Sequence, residues 1–144
     1  MASTLTNEAL YRMALGELDW EDDTIVLLLL DTASADVDTA AWSEVSADEC
    51  SGTGYAAKTL ANVSVTKDDA GNRVVVDADD PSTYASADFG TIAQGVIIRQ
   101  AGGSPAGTDF VLAVMGSDDF SLTTNTGDVD LAFAAGGIGT ITNS

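Results

Sequence analysis

The sequence contains no histidine, one cysteine, two prolines and only five basic residues among its 144 positions. Without histidine it lacks the side chain that most often serves as a general base near neutral pH and as a zinc ligand. One cysteine excludes an internal disulfide and any site built from several thiolates. Nucleic-acid binding needs many clustered cations, and here they are few and scattered. These absences argue against most enzymes and against nucleic acid as a partner.

Acidic residues are present in large excess. The sequence has 23 Asp and Glu, which gives a formal net charge of −18. A small soluble domain ordinarily carries a net charge of about 2 to 8 in magnitude, so this charge needs screening. Molar salt shortens the Debye length to about 3 Å. The composition therefore favours a protein from a high-salt environment; the alternative is an acidic domain from a low-salt organism that meets a basic partner.

The hydrophobic content argues against a disordered acidic chain. Hydrophobic residues make up 45% of the sequence, the mean hydropathy is +0.14, and the apolar residues occur in blocks. The longest aliphatic run, residues 25–30, is much shorter than the about 20 residues needed to cross a bilayer. The N-terminus lacks the pattern of a secretory signal. We expect one soluble, unexported domain over residues 1–144, with no membrane partner.

One short amphipathic helix is predicted over residues 6–15. Thr6 or Asn7 can cap its start, and Gly16 can end it. The apolar residues assigned to one face of this helix are Leu10, Met13 and Ala14.

Residues 24–30 predict a central strand, because the run is too short and too uniformly apolar for a surface helix. Both faces of such a strand need cover, and we expect Leu10 with Met13 to supply part of it. Residues 31–51 are predicted to form a long loop with one helical turn.

Short strands are predicted for most of the remaining chain. Residues 55–66 and 73–78 form a hairpin around the turn at 67–72, and residues 91–100 pair with 109–115. Alternation at Val129, Leu131 and Phe133 marks a further strand. The predicted fold is mainly β: an antiparallel β-sandwich or barrel-like sandwich of about 7 to 8 strands with one short N-terminal helix. Residues 1–23 form the helix and an acidic connector, and residues 24–144 the sandwich.

Closely spaced carboxylates are the candidate cation ligands. The groups are Asp36 with Asp38, Asp77 with Asp79 and Asp80, and Asp128 with Asp130. Each could share an oxygen-coordinated calcium or magnesium ion, although a solvated acidic face is the better explanation of such groups in this composition. If one site exists, we expect Asp77, Asp79 and Asp80 to form it. No other cofactor is predicted.

Two further motifs could serve catalysis or nucleotide binding, but a structural role explains each of them better. Cys50 lies beside acidic residues, which disfavour its thiolate. The segment 51–55 (Ser-Gly-Thr-Gly-Tyr) is similar to nucleotide-binding loops, but no helix is predicted after it, so a tight turn is the better interpretation. A glycosidase with paired carboxylates is the remaining enzymatic alternative, and we predict that the chain is not an enzyme.

A series of short segments follows a recognisable order along the chain. They are Leu10-Tyr11, Ala14-Leu15-Gly16, Leu18-Asp19-Trp20, Asp23-Thr24-Ile25, the run from Glu49 to Tyr55, Lys58-Thr59-Leu60, and the run from Arg73-Val74 to Asp77-Ala78-Asp79-Asp80. Their order resembles a family of small virion structural proteins encoded by tailed viruses of bacteria and archaea. The segments 52–55 and 77–80 are the most specific parts of the resemblance.

The resemblance implies a structural component of a virus particle, located in the virion and assembled in the host cytoplasm. A capsid decoration or cement protein is the first expectation, with the major capsid protein as partner. The long loops at residues 31–51 and 102–107 in addition predict a homo-oligomer whose neighbours order them, with a trimer favoured over a dimer or a pentamer. The alternatives are a turret, tail-tip or fibre-attachment subunit, and a carbohydrate-binding module for host attachment. The last would need exposed aromatic residues, for which the candidates are Trp20, Trp42, Tyr55 and Tyr84.

Overall fold

A computed structural model describes residue 1, residues 3–116, residue 120 and residues 122–142. These residues form one α-helix, α1 (Asn7–Leu15), two short 3-10 turns and twelve strands. The strands are β1 (Ser3–Leu5), β2 (Thr24–Leu30), β3 (Lys58–Thr59), β4 (Ser64–Asp68), β5 (Arg73–Asp77), β6 (Tyr84–Ala87), β7 (Thr91–Ile92), β8 (Gln94–Gln100), β9 (Phe110–Met115), β10 (Leu122–Thr123), β11 (Gly127–Val129) and β12 (Gly139–Thr142).

The mainly β, antiparallel class with one N-terminal helix is confirmed. The strands outnumber the expected seven or eight because several are only two or three residues long. One of these, β1, precedes the helix, in a segment that was predicted to hold only the helix and a connector.

A five-stranded antiparallel sheet, with strand order β1-β9-β8-β2-β3, forms the centre of the fold. Strand β2 pairs with β8 along its whole length, from Thr24 opposite Gln100 to Leu30 opposite Gln94. The predicted strand at 24–30 is confirmed, and it lies in the interior of the sheet with six of its seven residues buried.

Each face of β2 contributes to a different part of the core. Ile25, Leu27 and Leu29 join a large cluster that includes residues from the three small sheets β12-β5-β4, β11-β6 and β10-β7. Val26, Leu28 and Leu30 join a second cluster that is covered by the 31–51 loop. The main sheet therefore lies between a layer of small sheets and a loop, in a sandwich-like arrangement.

The prediction that Leu10 and Met13 of the helix cover part of β2 is partly wrong. Leu10 is exposed, whereas Ala9 is the fully buried residue of α1 and Met13 packs partly against the larger cluster. The helix packs mainly against β9. The second face of β2 is covered instead by Trp42 and Val45, which lie in or beside the two 3-10 turns of the 31–51 loop.

The hairpin and the later strand pair are confirmed in part. The first hairpin strand spans residues 64–68 and not 55–66, because residues 58–59 form β3 and pair with β2; likewise residues 91–92 form β7, which pairs with β10, and only residues 94–100 pair with β9. Strands β4 and β5 pair from Ser64 opposite Asp77 to Asp68 opposite Arg73, and Asn72 in the turn has a positive φ of 49°. Strands β8 and β9 also pair in antiparallel register. The alternation predicted through Phe133 stops early, because β11 ends at Val129. Leu122 and Thr123 form β10, and residue 121 lies outside the described residues.

Candidate interaction surfaces

Helix α1 is fixed to the main sheet at its first turn. The Thr6 hydroxyl donates to the carbonyl of Val111 at 2.6 Å and accepts from the backbone N–H of Ala9 at 3.1 Å. This side chain thus caps the helix and ties it to β9. Gly16 ends the helix with a positive φ of 71°, which glycine adopts without strain. Both ends of α1 are specified locally, and its orientation is set by Thr6.

The outward side of α1 is apolar. Leu10, Tyr11, Ala14 and Leu15 follow the spacing that places residues on one side of a helix, and all four are exposed. The exposed fractions are 42% for Leu10, 55% for Tyr11 and 51% for Leu15. We call these four residues the helix face. Exposed apolar residues grouped in this way mark an interaction surface more often than isolated ones do.

Acidic groups lie at both ends of the helix face. At the N-terminal end, the Asn7 side-chain amide donates to Oδ1 of Asp38 at 2.6 Å. At the C-terminal end, Glu17 pairs with the guanidinium of Arg12, which also binds Oε1 of Glu8 at 2.6 Å. The helix face is therefore an apolar strip bounded by carboxylates.

A second apolar surface lies on the three-stranded sheet. Val65, Lys67, Val74 and Ile141 lie on one side of this sheet, because Val74 is the cross-strand partner of both Lys67 and Ile141 and side chains alternate between faces. Val65 and Ile141 are exposed and Val74 is half-buried. We call these four residues the hairpin face. Beside it is an open groove of about 480 Å³, whose lining includes Lys67, Arg73, Val74 and Ile141.

The charges beside this groove balance one another. Nζ of Lys67 lies 2.8 Å from Asp69, and Nε of Arg73 lies 2.8 Å from Asp68. The backbone N–H of Gly71 and the Arg73 guanidinium both lower the pKa of Asp68 from its ordinary value. Two cations and two carboxylates meet here, so the groove is locally neutral on a strongly anionic protein.

The remaining basic residues, Arg99 and Lys58, also have partners within the chain. Arg99 lies 3.0 Å from Oδ1 of Asp23, and Lys58 donates to the carbonyl of Thr83 at 3.1 Å while its Nζ lies 4.5 Å from the centre of the Tyr84 ring. All five basic residues thus have partners within the chain. Most of the 23 carboxylates in the sequence necessarily have no cation of the same chain beside them.

The residues predicted to bind a cation accept hydrogen bonds from separate donors. Oδ1 of Asp77 accepts from the N–H of Ala78 at 2.9 Å, and Oδ1 of Asp80 accepts from the N–H of Phe133 at 2.8 Å. Oδ2 of Asp79 accepts from the side chain of Asn62 at 2.6 Å. Across the described residues, no group of three or more acidic or cysteine side chains is placed to hold a metal ion.

The other acidic pairs also support turns and loops. Oδ1 of Asp36 accepts from the backbone N–H groups of Asp38 and Thr39, and Oδ1 of Asp128 accepts from the N–H of Ser86. The close spacing of these carboxylates in the sequence made them candidate cation ligands. In the structure they accept hydrogen bonds from backbone N–H groups, which the spacing does not reveal.

Most of the candidate sugar-binding aromatic residues are in the core. Trp20, Trp42 and Tyr84 are buried, and Tyr55 is half-buried and stacks on Tyr84 with their ring centres 6.2 Å apart. Tyr55 donates its hydroxyl to Glu49 at 2.8 Å, and burial raises the pKa of both tyrosines. Tyr11 on the helix face, by contrast, is an exposed aromatic residue that was not among these four candidates.

Cys50 and the glycine-rich segment after it have structural roles. Cys50 is only 2% exposed, and burial raises the pKa of its thiol to about 11, which suppresses the reactive thiolate. A Cβ at Gly52 would lie 2.7 Å from the carbonyl oxygen of Asp88, and one at Gly54 would lie 2.5 Å from that of Ala85. Glycine is needed at both positions because the loop passes so close to neighbouring backbone.

Comparison of the chain with protein-family models, with curated proteins and with solved structures found no match. In the part of the chain that the structure describes, no helix is long and apolar enough to cross a membrane.

Proposed function

We propose that the chain is a structural component of a tailed-virus particle from a high-salt environment, and specifically a capsid decoration or cement protein. Its partners are other virion proteins, the major capsid protein first among them, and further copies of itself. The observation that carries the proposal is the helix face: α1 turns its apolar side outward on a protein whose surface is otherwise rich in carboxylates. In molar salt, where charge repulsion is screened, apolar contacts of this kind can hold subunits together.

The positions of the specific sequence segments support the same proposal. Gly52 and Gly54 let a loop pack against neighbouring backbone. Asp79 and Asp80 accept hydrogen bonds from Asn62 and Phe133, which lie in connections between strands. Both segments thus contribute to the packing and the hydrogen bonding of the fold. This is the use expected of such segments in a structural protein.

The alternatives differ in how well the surface supports them. A carbohydrate-binding module needs exposed aromatic platforms, and three of its four candidate residues are buried. A turret, tail-tip or fibre-attachment subunit would use the same exposed surfaces as a decoration protein. Copy number separates these two roles, because decoration follows the symmetry of the capsid.

Rebinding to particles tests the proposal. Particles that lack this chain are prepared in molar KCl from a virus with its gene deleted, mixed with the purified protein and separated on a density gradient. We expect the protein to migrate with the particles and, after tail removal, with the heads. Protein that stays at the top of the gradient, or that follows only the tails, would contradict a decorating role.

A further inference from the structure

We propose that Asn62 is the acceptor of an N-linked glycan, which a transferase of the producing cell adds from a nucleotide-activated sugar. The proposal goes beyond the proposed function, because it concerns a covalent modification and not a contact between subunits. It rests on a sequence motif, on the place of that motif in the fold, and on the hydrogen bonding of the acceptor amide.

The motif is the tripeptide Asn62-Val63-Ser64. An asparagine followed two positions later by serine or threonine, with any residue except proline between them, is the acceptor motif for N-glycosylation. Other asparagines of the chain lack this hydroxyl, since Ala9, Val74 and Gly127 lie two positions after Asn7, Asn72 and Asn125.

The fold places the acceptor side chain on the surface. Asn62 is exposed and lies in the short connection between β3 and β4. The backbone before it is anchored, because the N–H of Leu60 donates to the carbonyl of Ile25 at 2.8 Å and the carbonyl of Ala61 accepts from the N–H of Asp79 at 3.0 Å. Asn62 is thus held at a fixed position outside the core, as a bulky and strongly hydrated glycan requires.

The conformation of the connection explains the asparagine but not the serine. Asn62 has a positive φ of 51°, in a region that asparagine adopts more often than most side chains do. Asn72 adopts a φ of 49° in the hairpin turn and is followed two positions later by Val74. A turn of this kind therefore needs no hydroxyl at that position, whereas an acceptor site does. Ser64 supplies it as the half-buried first residue of β4.

The side-chain amide of Asn62 has a hydrogen available for the transfer. Nδ2 donates to Oδ2 of Asp79 at 2.6 Å, and a primary amide carries two hydrogens. The transfer joins Nδ2 to the anomeric carbon of the sugar and breaks the bond from that carbon to the phosphate oxygen of the donor. A nucleoside diphosphate and one proton leave. One N–H remains on Nδ2, so the hydrogen bond to Asp79 can persist in the modified protein.

The class of donor follows from the expected location of the chain. The sequence analysis expects a chain that is not exported, and nucleotide-activated sugars are glycosyl donors of the cytoplasm. This chain supplies the acceptor amide and the motif that the transferase recognises, and the cell supplies the donor and the transferase.

A glycan on Asn62 would protect a sheet edge. Strand β4 begins two residues after Asn62 and is an outer strand of the three-stranded sheet. Outer strands expose backbone groups with which another chain can pair, and proteins oppose such pairing by covering or charging them. On β4 the N–H of Val65 already donates to Oε1 of Glu21 at 3.2 Å, and Lys67 adds a charge. A bulky sugar at the start of the strand would add to this protection.

Peptide mass spectrometry on protein from the cells that naturally produce it tests the proposal. Trypsin cleaves after Lys58 and Lys67 and releases residues 59–67 as one peptide that contains Asn62. We expect this peptide to carry the added mass of one or more sugar residues, and electron-transfer fragmentation to place that mass on Asn62. Finding only the unmodified peptide would overturn the proposal, as would a sugar on Thr59, Ser64 or Thr66.

Variants produced in the same cells test the dependence on the motif through their intact masses. Asn62→Gln and Ser64→Ala should lose the glycan, and Ser64→Thr should keep it, because threonine also fits the motif. Asn72→Gln is the matched control, since Asn72 is an exposed asparagine with a positive φ outside the motif, and it should keep the glycan. Circular dichroism shows that each variant folds; if Ser64→Ala does not, Ser64→Val replaces it, because valine suits a strand.

The remaining outcomes decide the mechanism of transfer. A glycan that persists in Ser64→Ala, or that is lost from Ser64→Thr, would refute transfer through the motif. Protein taken from inside the cells should already carry the sugar, and modification found only on protein outside them would refute a cytoplasmic donor. Because a glycosylated chain could fail to bind particles, and an unmodified chain could still bind them, this proposal and the proposed function succeed or fail separately.

Discussion

The guanidinium of Arg12 lies over the ring of Phe110, with its central carbon 3.9 Å from the ring centre. The same guanidinium pairs with Glu8 and Glu17, so one side chain joins the helix, the segment that follows it and strand β9. Arg99 approaches the same ring at 5.8 Å. Arg12 thus helps to hold α1, and the helix face with it, on the main sheet.

Replacing Arg12 by Lys should loosen α1. Lysine keeps the charge but cannot bind two carboxylates through a planar fork while stacking on Phe110. We expect a lower melting temperature than Arg73→Lys gives, since Arg73 is more exposed and pairs with one carboxylate. Equal melting temperatures for the two variants would contradict this role of Arg12.

Leu28→Ala should destabilise the fold strongly. Leu28 is fully buried between β8 and the 31–51 loop, so its truncation removes apolar contacts and leaves a cavity, with an expected cost of about 2 to 5 kcal/mol. Leu122→Ala, at an exposed site, should change the free energy of unfolding by less than about 0.5 kcal/mol. Urea titration in molar KCl measures both, and a Leu28→Ala loss no larger than that of Leu122→Ala would contradict the packing described for β2.

Asp109 should be more important for stability than the exposed carboxylates. It is only 2% exposed and accepts from the N–H groups of Ala101 and Ala106 at 3.0 and 2.8 Å, which organises the loop before β9. Asp109→Ala leaves both donors without this acceptor, for an expected cost of about 1 to 3 kcal/mol. Asp109→Asn should cost less because one oxygen remains. Asp69→Ala is the exposed control, and an equal effect of Asp69→Ala would refute the assignment.

Alkaline pH should destabilise the protein partly through Cys50. The pKa of the buried thiol is raised to about 11, whereas a thiol in an unfolded chain titrates near about 8.5. Between these values the unfolded state releases its proton and the folded state retains it, so the free energy of unfolding falls as pH rises. Melting temperatures from pH 8 to 11 should therefore fall more steeply for wild type than for Cys50→Ala. Parallel curves would exclude this contribution.

Low salt should unfold the chain. All five cations already have partners within the molecule, so few internal contacts offset the remaining carboxylate repulsion once salt is removed. Dialysis from molar KCl to about 0.05 M should abolish the β-type circular dichroism, since the Debye length then exceeds 10 Å. Cys50 reports the same event, because its buried thiol should react with Ellman's reagent only after unfolding. An unchanged spectrum and an unreactive thiol in low salt would refute the high-salt interpretation.

Strong local signals made much of the fold predictable. The uniform run at 24–30 fixed a buried strand, the turn residues around 67–72 fixed a hairpin, and Thr6 with Gly16 marked the ends of the helix. Each signal depends on residues that are adjacent in sequence. Strands of two residues, such as β3 and β7, are too short to show any periodicity, so both were predicted as parts of longer strands and not as separate ones.

The side of α1 that faces the core could not be predicted in the same way. The helix has apolar residues on both sides, and hydrophobicity alone favoured Leu10 for the core. The structure buries the small Ala9 instead, because the Thr6 hydroxyl bonds to β9 and brings the helix close to that strand. The exposed helix face was not predicted for this reason. Similarly, Asp80 binds the N–H of Phe133, a residue 53 positions away, and no local pattern reveals that contact.

The copy number of this chain in purified particles tests the central proposal most directly. Particles are banded in molar salt, and peptides of the chain and of the major capsid protein are quantified together by mass spectrometry against labelled standards. We expect a fixed ratio of the chain to the capsid protein that matches the number of symmetry-related positions on the capsid. Absence of the chain from the particles, or only a few copies in each, would contradict its proposed role as a capsid decoration protein.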